Sequence, residues 1–197
     1  MYAAALAGMA VPPVFGAVIL SLSVLQYDFM RGLGWHPLYA VRLDWPSGLA
    51  LGPLGGVMVA GFVLCGAALA LFAVGIGRMF GVWGSRLIFG SGIAMALMAF
   101  LTDPTLDGAG RSWHGWIHDL AFLAFGLLLL AGLFTLGFGL RRRAGWGGFS
   151  RYTLVTAVAA AALFPLPGVA FYAFMSVLFA WFAVAGWRLK PEARRRR

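Results

Sequence analysis

Long apolar blocks, separated by short clusters of Gly, Pro, Arg and Asp, divide the chain into six candidate membrane segments, a crossing taking about 20 mostly apolar residues. The first covers residues 3–26 and contains Pro12 and Pro13, which predict a kink. It lacks a basic start and is too long for the apolar region of a signal peptide, so it reads as a retained helix. The second is predicted over residues 49–76, with Ser47 or Asp44 placed to cap it. The third covers residues 82–101, and the fourth runs from Ser112 until Arg141 stops it. A glycine-rich link over residues 145–150 leads to a fifth segment, residues 152–163, and a sixth, residues 169–187, joined by a tight FPLPG turn. Gly52 with Gly56 and Gly77 with Gly81 have the four-residue spacing of small residues that lets helices approach closely. The predicted fold is all-α: six transmembrane helices over residues 1–187, then a basic, unstructured tail over residues 188–197.

Two connections are polar. Residues 27–48 carry Asp28, Arg31, His36, Arg42 and Asp44 among several aromatics, a mixture suited to the bilayer surface. Residues 102–119, TDPTLDGAGRSWHGWIHD, hold three of the six acidic residues and two of the three histidines.

Composition agrees with the pattern: 62% of residues are hydrophobic and 11% charged, with a mean hydropathy of +0.89, which makes this an integral membrane protein. The net charge of +9 would suggest nucleic acid in a soluble chain, but here the basic residues sit at the ends of apolar segments and in the tail, as insertion topology requires. A nucleic-acid partner is therefore excluded, and membrane lipids are the expected surroundings. The lone Cys65 lies inside an apolar segment and reads as a small buried hydrophobe. Counting Lys and Arg by connection places twelve on one side (Arg78, Arg86, Arg141, Arg142, Arg143, Arg151 and the tail) and three on the other (Arg31, Arg42 and Arg111). Basic residues stay cytoplasmic, so both termini are expected on the cytoplasmic side of the membrane. All three histidines and every acidic residue except Glu192 then fall on the outer side.

His114 and His118 stand four apart, so on a helix both rings leave one face, roughly 6 Å apart at Cβ. That pair could hold zinc with Asp103, His36 or Asp119 as a third ligand, leaving one position for water. An alternative with the same residues is a helix start at the interface, with Asp side chains complementing the dipole and the imidazoles bonded to loop carbonyls. Imidazoles projecting side by side cannot take opposite axial positions on one haem iron. Ser112 lies close to His114, but no GxSxG elbow surrounds it, Ser47 or Ser91. No charged residue sits mid-span, which weighs against an ion-coupled transporter.

The segment DWPSGLALGPLGGVMVAGFVLCGAALALFAVGIGR, followed by FLTDP and WHGWIHDLAF, resembles the bacterial membrane-protein family called domain of unknown function 998. The resemblance points to Asp44, Ser47, Leu51, Gly52 and Pro53, and to Thr102, Asp103, Pro104, Gly115 and His118; it implies six helices and no particular activity. Three function classes follow. The first is a non-enzymatic protein that uses Asp44, Ser47, Asp103, His114, His118 and Asp119 to bind a lipid, small ligand or protein partner, a second copy included. The second is a zinc-dependent hydrolase with Asp103, His114 and His118 at the metal and Asp119 or Asp44 as base. The third is a transporter or structural subunit.

Overall fold

Segments that are apolar on nearly every side can satisfy their backbone only as helices, and must leave their outward faces on lipid. The computed structural model describes residues 1–34, 45–104, 110–166 and 168–195, and among the described residues there is no strand. The elements are α1 (Tyr2–Leu25), α2 (Tyr27–Gly32), a 3₁₀ helix (Pro46–Leu51), α3 (Gly55–Phe80), α4 (Trp83–Leu97), α5 (Trp113–Leu140), α6 (Gly147–Leu163) and α7 (Val169–Arg195). Four of these, α1, α3, α5 and the Val169–Lys190 part of α7, are long and apolar enough to cross a membrane. The chain is a multi-pass membrane protein. The other two predicted spans are shorter, 15 residues in α4 and 17 in α6.

The six long helices form a closed ring. Each packs on its neighbours in sequence, α1 closes against α7, and the main contacts run round the ring rather than across it. Toward the basic end the centre is filled by Phe72, Trp181 and Phe182, whose rings meet edge to face. The other end is left partly open. Outward side chains such as Leu20, Leu64 and Val155 are exposed, as lipid-facing positions should be.

Where helices touch most closely, the reason is glycine; of the residues that spacing singles out Gly77 takes part, a Cβ there lying 2.9 Å from the Ser85 hydroxyl oxygen of α4, but the tightest crossings use others. A Cβ on Gly66 of α3 would lie 2.6 Å from the Gly92 carbonyl oxygen of α4, and one on Gly92 would lie 2.7 Å from the Gly66 carbonyl. Gly84 of α4 stands in the same relation to Gly132 of α5, at 2.6 Å. Gly56, by contrast, faces open space, and Gly81 ends α3 in the left-handed region at φ 63°, where only glycine is unstrained.

Several boundaries also move. The α-helix of the second segment starts at Gly55 rather than at residue 49. Gly52, forced into extended backbone (φ −80°, ψ 175°) by Pro53, separates the 3₁₀ helix from α3, and neither element has a side-chain cap. Instead of capping, Ser47 lies within the 3₁₀ helix, whose Leu49 is fully buried, so this part of the first connection is tucked into the bundle end rather than spread on the surface. Buried Gln26 holds it there: its Nε2 donates to the Leu49 carbonyl (2.9 Å) and its Oε1 accepts from the Leu54 N–H (2.7 Å). The link at 145–150 is mostly helix, since α6 starts at Gly147 and the buried Ser150 hydroxyl donates to the Gly137 carbonyl (2.7 Å). α7 runs on through Pro191 to Arg195, where the sequence predicts an unstructured tail.

Candidate functional site

Chain order around the ring brings the start of the 3₁₀ helix, the exit of α4, and the starts of α5 and α7 to one end. There α4 stops at Leu97 and its chain leaves through an irregular turn, which takes the Met98, Phe100 and Leu101 carbonyls out of the helix ladder. In a bilayer such groups need partners. His118 supplies them: its Nδ1 lies 3.0 Å from the Met98 oxygen and 2.8 Å from the Phe100 oxygen. Carbonyls only accept, so Nδ1 carries a proton, and in the neutral ring Nε2 is left with a bare lone pair. One turn earlier His114 Nδ1 does the same for the Leu101 carbonyl at 2.9 Å. Both rings thus leave one side of α5, as their spacing requires.

Ser112 caps α5. Its hydroxyl accepts from the Gly115 N–H (3.0 Å) and donates to Asp103 Oδ1 (2.6 Å), while its own N–H donates to Asp103 Oδ2 (2.9 Å). Those two bonds, the hydroxyl's first, hold the Asp103 carboxyl below the usual carboxylate range. Glycine at position 115 makes room for this, because a Cβ there would overlap the Asp103 carboxylate and displace it. His114 and Asp103 therefore belong to a clamp on the helix start.

Beside that clamp opens a cavity of about 370 Å³ in the middle of the ring. Its depth is set by Leu69, midway along α3 and roughly 20 Å from that helix's Gly55 end at 1.5 Å per residue. Aromatic and methionine side chains, among them Phe62, Met95, Phe174 and Phe182, form the walls. Polar groups occur only at the mouth: Ser47, Thr102, Arg111, His118 and Asp119. Arg111 is ion-paired with Asp119 and lies over the Trp116 ring at 5.3 Å. Trp45 covers one side, its ring 5.2 Å from that of Phe122 on α5 and 4.9 Å from that of Phe171 on α7.

Of the residues singled out in the sequence, Ser47, Thr102, His118 and Asp119 line this cavity; Asp103 and His114 are engaged next to it. Asp44, His36 and Asp107 lie outside the described residues. The zinc centre of His114, His118 and Asp103 is not supported: among the described residues no three His, Cys, Asp or Glu come together. The carbonyl bonds at Nδ1 still leave Nε2 able to ligate; what is missing is a third ligand, since both Asp103 oxygens are bonded to Ser112. Sequence reasoning missed Arg111 as the partner of Asp119, Gln26 as the tether, and the aromatic wall. The wall residues of α7 do recur at helical spacing, but that pattern reads equally as ordinary core.

The family described as "Protein of unknown function (DUF998)" matches the chain over residues 17–189. No curated protein and no solved structure matches.

Proposed function

The chain belongs to the DUF998 family of proteins of unknown function, and we propose that it holds an amphiphilic, lipid-like molecule in its central cavity, the apolar chain among the rings and the polar head at the mouth. One observation carries this reading: a single continuous cavity has apolar walls down to Leu69 and keeps every polar lining group at one end. Pockets for small ligands are mostly apolar with a few convergent polar groups, and here their segregation matches the two halves of an amphiphile. Asp119 and His118 serve as head-group contacts in this reading, since both line the cavity at its mouth.

Six crossings fit the closed ring, with α4 and α6 as short spans beside longer ones and both termini cytoplasmic in a bacterial membrane. The basic end supports that orientation: Arg78, Arg86, Arg141, Arg142, Arg143 and Arg151 cluster there, and Arg143 donates to the last carbonyl of α3, that of Phe80, at 3.0 Å. The mouth would then face outward.

Native mass spectrometry of protein purified in a mild detergent tests the binding reading. The expected result is one retained amphiphile per chain, lost when the cavity is filled by Met175→Trp. A wild-type chain that releases no such molecule, or a Met175→Trp chain that retains it equally, would overturn the reading.

A further inference from the structure

His118 is almost wholly buried, with 3% of its surface exposed, and it lines the cavity at the boundary between apolar wall and polar mouth. Its Nδ1 is committed to two carbonyl oxygens, and Nε2, on the far edge of the ring, makes no hydrogen bond among the described residues. A bare imidazole nitrogen in such surroundings is an acceptor without a donor. Among the described residues none of the other mouth groups bonds to it: the Thr102 hydroxyl donates to the Asp103 carbonyl (3.5 Å), and the Ser47 hydroxyl makes no bond to His118. Arg111 is turned to Asp119 and Trp116, and Phe62 presents only a ring, its centroid 6.0 Å from that of His118.

From this we infer that the amphiphile's head carries a hydrogen-bond donor, a hydroxyl or an N–H, which it gives to His118 Nε2. The inference rests on the cavity reading above and narrows its ligand class to long-chain alcohols, amides and similar donors, as against esters and ethers that only accept. An accepting oxygen placed opposite the bare lone pair would leave both groups unsatisfied. Asp119 is the competing acceptor at the mouth: Arg111 pairs with its Oδ2, and substitution of His118 separates the two acceptors.

A matched pair of probes separates the cases: hexadecanol and hexadecyl methyl ether, which share the chain and differ in the donor, compared by competition for the cavity in detergent micelles. Hexadecanol should bind the wild-type chain about tenfold more tightly, the effect of leaving one buried polar group without its partner. The diagnostic variant is His118→Asn, whose amide N–H sits where Nδ1 does and keeps the bonds to Met98 and Phe100 while removing Nε2. In it the tenfold difference should vanish. Equal binding of the two probes to the wild-type chain would overturn the donor inference and leave the cavity reading intact. A difference that persists in His118→Asn would assign the acceptor to another residue and overturn it as well. If neither probe binds, both readings fall together.

Discussion

The two imidazoles of α5 act first on the backbone. A helix that ends inside a bilayer strands its final carbonyls, and an unpaired buried carbonyl is destabilising by about 1–3 kcal/mol. Because His118 Nδ1–H serves two of them, His118→Leu should lose about that much stability, while His118→Asn should stay close to the wild-type value. Chemical denaturation in detergent, following the two variants side by side, measures the difference. Asp103 gives a test by pH. Its folded-state pKa is lowered by the two Ser112 bonds, so the clamp contributes fully above the ordinary carboxylate pKa, about 3.9, and fades as pH falls through the lowered folded value. Melting temperatures taken from pH 6 down to about 2.5 should therefore drop at the acid end in the wild-type chain. In Ser112→Ala that acid-dependent drop should shrink, since the main cause of the lowered pKa is gone.

At the level of helices, the glycines set what can pack. Gly92→Leu would drive a side chain into the α3 backbone at Gly66 and Ala70, and overpacking of this kind is destabilising by about 1–3 kcal/mol. Gly56→Ala meets open space and should be neutral or slightly stabilising, because alanine favours helix by up to about 1 kcal/mol over glycine. Thermal aggregation in micelles ranks the two; an equal effect would mean that the α3–α4 crossing is not set by these residues. The contrast also shows what the sequence makes legible. Apolar blocks reveal that long helices exist and roughly where they lie, and the polar clusters reveal which connections share an end: Ser47, His118 and Asp119 were readable as neighbours because both connections are poor in arginine. Spacing could not say which glycines touch, since a four-residue repeat is common in a chain with 28 of them and the contact depends on helix rotation. Nor could it separate His114 and Asp103 from His118, because the division comes from the path of the α4 exit in three dimensions. The start of α3 was misjudged for a related reason: Pro53 and the Gln26 tether override a continuous apolar run.

Across the whole molecule, orientation decides which aqueous side the cavity serves, and it can be tested without knowing the ligand. Cys65 is the only cysteine and is 2% exposed, so the wild-type chain should react little with a membrane-impermeant maleimide. Gly110 and Ala144 are exposed at opposite ends of α5, one beside the mouth and the other in the basic turn before α6. Basic residues resist translocation, and most of them lie at the Ala144 end. In intact cells Gly110→Cys should therefore be labelled at once, whereas Ala144→Cys should be labelled only after the membrane is permeabilised. The reverse pattern would turn the mouth toward the cytoplasm, and the amphiphile would then be drawn from the inner leaflet. Labelling of both positions from outside would be more damaging, because the ends of one 28-residue helix cannot lie on the same side of the bilayer it crosses.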